Sequence, residues 1–203
     1  MEKIYFGQNF LLMKCLVPII LLLCGHCFYA SAQLKLPINN TIRNDFQKII
    51  AEYPEHFQAI QGSVLNKNPQ SIEYASNLKV GDAVECSITK YSSGIKPIYS
   101  WQAVMFSSED FEAAYKKYKW LFNQLKGMNL TYVKDQYTLR GSFEEADESR
   151  QFTNSILTPV APPEPLKKLK IDVTLQFDFP EWKVNLLLYE KEREDNERGE
   201  IAE

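Results

Sequence analysis

Ile60-Gln61-Gly62-Ser63-Val64 returns as Leu139-Arg140-Gly141-Ser142-Phe143, and the echo runs on for more than forty residues. Ile72 and Val80 have counterparts in Phe152 and Val160, and Ser100-Trp101-Gln102-Ala103 has one in Glu181-Trp182-Lys183-Val184. The offsets are 79, 80, 80 and 81 residues. A near-constant period with single-residue drift is what tandem duplication leaves, and it fixes the unit from which the fold must be built. The matched positions are mostly apolar or glycine. They therefore carry core and turn information rather than chemistry.

Each unit opens with a helix. Ile42, Phe46, Ile49, Ile50 and Tyr53 share one helical face, with Asn40 or Thr41 as cap and Pro54 as stop. In the second unit Ser107 and Asp110 have capping-box spacing. Phe111, Ala114, Tyr115, Tyr118, Leu121, Phe122 and Leu125 follow as one apolar stripe, and Gly127 is placed to end the helix. Strands are expected at Phe57–Leu65, Ser71–Leu78, Ala83–Tyr91 and Pro97–Phe106, then at Thr131–Phe143, Arg150–Leu157, Leu169–Phe177 and Trp182–Tyr189. Short connections make antiparallel meanders of both sets. In Leu169–Phe177 the odd positions are apolar, while Lys170, Asp172, Thr174 and Gln176 alternate with them, which predicts one buried and one wet face. The proline-rich stretch Thr158–Pro165 is read as an enlarged turn inside one fold.

The fold class that follows is α+β: two tandem α-β-β-β-β repeats, with antiparallel sheets each covered by one helix. The expected boundaries are a signal peptide at 1–32, repeat one at 33–106, repeat two at 107–190 and a charged tail at 191–203. This layout is similar to that of secreted β-lactamase-inhibitory proteins, which also pair two helix-plus-four-strand repeats. The likeness is one of layout and carries no motif.

Met13-Lys14 followed by an apolar run to Tyr29 and by Ala30-Ser31-Ala32 has the form of a secretory signal, with cleavage before Gln33 and translation starting at Met13. Export to a periplasmic or extracellular space, without stable membrane insertion after cleavage, is the expectation. Cleavage would remove Cys15, Cys24 and Cys27 and leave Cys86 as a lone core thiol. Between Gln33 and Tyr189, 18 basic and 18 acidic residues balance, so no basic stripe is available for nucleic acid.

No catalytic residue, metal site or cofactor is nominated. His56 is the one imidazole after cleavage and lies in a turn, and no nucleophile elbow or phosphate-cradling loop occurs. The reading is a non-enzymatic binding protein whose partner is a protein, a peptide or a glycan. The alternatives are a carboxylate-dependent envelope hydrolase and a carrier of a small apolar ligand. Two binding surfaces are candidates. One is Trp120, set 180° from Phe111 on its helix beside Lys116. The other is the outer face of the sheet, with Tyr91, Gln102 and Tyr189 among small polar groups.

Overall fold

The computed structural model describes residues 40–92 and 96–190, all within the unit Ile38–Glu203. The signal segment and the charged tail lie outside the described residues. Helix α1 spans Asn40–Ala51, and two short 3-10 turns, Tyr53–Glu55 and Gln58–Ile60, lead into β1 at Gln61–Asn68. Strands β2 (Ser71–Ser76), β3 (Glu85–Tyr91) and β4 (Ile98–Ser108) precede helix α2 at Phe111–Leu125. Then come β5 (Asn129–Tyr132), β6 (Asp135–Arg140), β7 (Phe152–Pro159), a 3-10 turn at Glu164–Leu166, β8 (Leu169–Asp178) and β9 (Glu181–Glu190). No described helix is long and apolar enough to cross a membrane.

The strands form one antiparallel nine-stranded sheet in the order β1-β2-β3-β4-β9-β8-β7-β6-β5. One sheet per repeat was expected, joined edge to edge or packed into one body; the strands instead form a single sheet, continuous through the β4–β9 seam. The seam is built from Trp101↔Leu188, Ala103↔Leu186 and Val104↔Asn185, with a bulge between Val104 and Phe106. Apolar side chains from both strands meet there, so fusion buries what two isolated edges would have exposed.

Both helices lie on one face. Phe46 of α1 packs on Trp101 with ring centroids 6.5 Å apart, and Phe111 of α2 meets Trp182 edge-on at 5.0 Å. On β9 the side chains of Trp182, Val184, Leu186 and Leu188 are buried on this side, together with Ile171, Val173 and Leu175 of β8. The predicted helical faces form the opposing layer, and Ile42, Phe46, Ile49, Ile50, Ala114, Tyr118, Leu121 and Leu125 are all buried. Asp110 caps α2 by accepting from Glu112 N at 2.9 Å, while Ser108 accepts from Asp110 N. Ser107, the expected cap, instead donates to Glu181 Oε2 at 2.6 Å.

The expected strand Thr131–Phe143 is two strands. Val133 at φ 58° turns the chain between β5 and β6, a conformation that a β-branched residue rarely adopts and that no glycine announces. Residues Gly141 to Gln151 then run without regular structure, apart from a turn, and Tyr118 holds this stretch. Its hydroxyl donates to Glu144 O at 3.1 Å and lies 2.6 Å from Ser155 Oγ, which also accepts from Glu144 N. Burial pushes the Tyr118 phenol up to about 12. At the far end of the sheet, Gln47 of α1 treats β5 as a strand would. Its amide donates to Thr131 O at 2.8 Å and accepts from Thr131 N at 2.9 Å. The partners are 84 residues apart in sequence, so this bond ties α1 to one end of the sheet.

Candidate functional site

The opposite face of the sheet has no helix on it among the described residues. Strand alternation sends Tyr91, Gln102 and Tyr189 to this face, because Cys86, Ile88, Trp101 and Leu188 of the same strands point to the core. Three of the five nominated residues thus share one surface. Tyr91 is exposed near its edge, Gln102 is half-buried, and Tyr189 is half-buried near the middle. Trp120 and Lys116 belong to α2 on the other side, so the structure does not bring them to that surface. Lys116 is exposed. The Trp120 ring is covered by the Lys117 ammonium at 4.3 Å from its centroid and packs partly against the core. Lys117, one helical turn before Trp120, supplies that cover, and not Lys116.

The bare face was expected to be wet along β8, and this needs correction. Asp172 and Thr174 are each at most 7% exposed, as is Asn185 beside them on β9. Among the described residues, neighbours on the flanking strands contribute to this shielding. Strand β8 lies between β7 and β9, and Asp172 stands in register with Ile156 on one side and Leu187 on the other. Those longer side chains, with Tyr189 on the next rung, shield a short carboxylate from solvent. Asp172 Oδ2 accepts from Tyr189 OH at 3.1 Å and from Asn154 Nδ2 at 3.4 Å, and Asn185 Nδ2 donates to Thr174 Oγ1 at 3.3 Å. Asp172 Oδ1 and Asn185 Oδ1 are buried with no hydrogen-bond partner. A buried acceptor without a donor costs about 1–3 kcal/mol, so two on one face of β8 and β9 leave an unmet demand for donors.

Burial raises the Asp172 carboxyl above its ordinary value, and the Tyr189 phenol is pushed up to about 12 by burial and by the adjacent carboxylate. A carboxyl whose folded value is raised favours the native state while protonated, and that contribution is lost as pH rises from 3.8 through the raised value. Asp172→Asn removes the charge and offers an N–H where an acceptor was unmatched. It should therefore stabilise the protein at neutral pH by about 1 kcal/mol. Thermal melts at pH 7 and near pH 4 check this, and the gain should shrink at the lower pH. A variant less stable than the parent at pH 7 would contradict the account.

A second feature lies on the helix side. A cavity of about 260 Å³ is lined by Tyr53, His56 and Tyr99 and by Glu164, Lys168 and Glu190. Its wall contains two successive left-handed residues, His56 at φ 54° and Phe57 at φ 59°. Each costs on the order of 1–3 kcal/mol for a non-glycine residue and persists only where the surroundings impose it. Here the Phe57 ring is fully buried beside Tyr53 at 6.1 Å, and the His56 ring stacks on Tyr99 at 5.1 Å. Helical periodicity and turn propensity give no sign of this strain, so the sequence leaves His56 as an ordinary turn residue. The two acids of the cavity are each engaged by a lysine, Glu190 by Lys168 at 2.9 Å and Glu164 by Lys167 at 3.4 Å. Cys86 is buried, and burial pushes its thiol up, away from the thiolate that nucleophilic chemistry requires.

No family model, curated protein or solved structure matches the chain.

Proposed function

We propose that this chain is an exported, non-enzymatic binding protein built by internal duplication, with the bare sheet face as its recognition surface. The observation that carries this reading is the pair of buried, unpartnered acceptors on a face that no described helix covers. A scaffold face needs no buried carboxylate, whereas a recognition face uses polar groups held in place by the fold beneath it.

Several particulars support duplication. The sheet order runs inward from both ends to the β4–β9 seam, so each unit contributes its last strand to the centre. Ile42, Phe46, Ile49, Ile50 and Tyr53 precede Ala114, Tyr118, Leu121, Phe122 and Leu125 by 72 residues, and every member is buried. The offset grows to 79 at Gly62 and Gly141, and the added residues are accounted for by the β5 hairpin, which the first unit lacks. Both glycines lie against the neighbouring strand's backbone, Gly62 at Ala75 O and Gly141 at Ile156 O. Export rests on the Met13–Ala32 pattern.

Affinity capture from the envelope fraction tests the binding reading. Tyr189→Ala and Gln102→Lys should each weaken the recovered complex, and Lys116→Ala should leave it intact. A complex indifferent to both face substitutions would place recognition elsewhere.

The cavity beside His56 favours a second reading, as a carrier of a small ligand, because its strained wall is held by packing and both halves of the chain contribute to it. Its acids and lysine suit a ligand with polar groups rather than the wholly apolar one expected from sequence. Native mass spectrometry of the purified chain would show a retained mass that Tyr99→Ala releases.

A further inference from the structure

We infer that the acceptors of Asp172 and Asn185 are the seat of a guanidinium group presented by a partner chain, so that the bare sheet face reads an arginine. This rests on the reading of that face as the recognition surface and names the chemistry it recognises. The ground is a pair of buried acceptors that no bond within the cluster reaches. Three bonds are made there: Tyr189 OH and Asn154 Nδ2 donate to Asp172 Oδ2, and Asn185 Nδ2 donates to Thr174 Oγ1. What remains are two acceptors, Asp172 Oδ1 and Asn185 Oδ1. Asp172 is opposite Leu187 and Thr174 is opposite Asn185, so the two side chains are same-face diagonal neighbours, with only the Val173↔Leu186 pair between their rungs. Diagonal neighbours of that kind stand about 7–8 Å apart at their backbones and closer at their side chains.

One group that serves both must bring at least two N–H or O–H donors and no competing negative charge. A carboxylate or phosphate partner is excluded by the same oxygens that need satisfying. Guanidinium carries five N–H donors in one plane and forms forked bonds to carboxylates. The setting selects it over ammonium. Ile156 and Leu187 flank Asp172 in its own row, and a planar, weakly hydrated cation loses less on entering such a site than a compact, strongly hydrated one. The half-buried Tyr189 adds an aromatic ring with which the cation can also interact.

The surrounding charge agrees. On the same face Glu73 and Glu85 line a shallow cavity of about 70 Å³ with Ser87 and Gln102, which gives a basic segment a second acidic contact. Of the two lysines on this side of β8 and β9, Lys183 is held by Asp178 at 2.5 Å, and Lys170 stands one rung from Asp172. Both acceptor oxygens are shielded from solvent, so the guanidinium enters past the half-buried Leu187 side chain while Tyr189 keeps its bond to Asp172 Oδ2.

The test is a titration of the ¹⁵N-labelled chain at low salt with acetylated, amidated tri-arginine, tri-lysine and tri-glutamate. Tri-arginine should shift the amides of 172–174 and 185–187 and the Asn185 side-chain amide. Tri-lysine should bind at least about tenfold more weakly, and Asp172→Asn should weaken tri-arginine by at least about tenfold, as expected for a lost charge-assisted bond. That substitution is expected to raise stability, so loss of response cannot come from unfolding. Asn185→Leu provides an independent second variant. Tri-arginine shifts that are absent, that map to the helix side, or that survive Asp172→Asn would overturn the inference. Equal response to all three peptides on this face would also overturn it, while leaving the face as the recognition surface. Only a complex indifferent to both Tyr189→Ala and Gln102→Lys would remove the underlying reading.

Discussion

Trp101→Ala is expected to lower stability by about 3–5 kcal/mol, the cost of truncating a large buried aromatic side chain. Trp101 has no solvent exposure and sits in β4 next to the central seam, between Ile88 of β3 and Leu188 of β9. Its ring takes the weight of α1 through Phe46, and its indole N–H donates to Ser76 Oγ at 3.1 Å, which in turn donates to Leu78 O at 2.7 Å. Truncation therefore opens a cavity under a helix and removes a donor from a buried hydroxyl. Trp101→Phe keeps much of the volume and loses only the hydrogen bond, so it should cost about 1–2 kcal/mol. Urea unfolding followed by far-ultraviolet circular dichroism separates the two. An alanine variant within about 1 kcal/mol of the parent would mean that the ring is not bearing the helix.

Gly141→Ala should destabilise by about 2–3 kcal/mol through overpacking. A methyl group there would lie 1.9 Å from Ile156 O, 3.0 Å from Ile156 C and 3.1 Å from Leu157 Cδ2. The first two are backbone atoms and cannot swing aside, so β6 and β7 must part. Their register holds only Leu139↔Pro159 and Arg140↔Thr158, which leaves little pairing to resist separation. The loss should therefore be local. Hydrogen exchange should quicken in β5 and β6 while β8 and β9 stay protected. The matching substitution Gly62→Ala meets Ala75 O at 2.8 Å and the rotatable Asn77 side chain at 2.8 Å, so it should be milder. Equal costs at the two glycines would argue against this account of the contact.

The elements that the sequence reveals best are those whose neighbours lie close along the chain. The stripes of α1 and α2 and the alternation of β8 read directly onto buried faces, because one periodic element against one apolar layer leaves a local pattern. Four features are not legible. The division of Thr131–Phe143 into β5 and β6 depends on Val133 turning at positive φ, against its own preference. Gln47 looks like any polar residue on a helix, and its role depends on a strand end 84 residues away. Asp172 falls on the polar side of a correctly placed strand. Alternation tells which side a residue takes, but not how far flanking side chains such as Ile156, Leu187 and Tyr189 will shade it. The strain at His56 and Phe57 is similarly invisible, since it is imposed by packing between distant segments.

The bond from Gln47 to both backbone groups of Thr131 has a bearing on self-association. It stoppers one terminus of the sheet, whereas the Gln61–Asn68 strand at the other terminus keeps a ladder side that, among the described residues, no other strand pairs. Copies that join by strand addition have a single outlet, so two molecules meeting there complete a closed pair and present no fresh end to a third. Growth into filaments would need both termini free, and removing the Gln47 side chain is the smallest change that would supply the second.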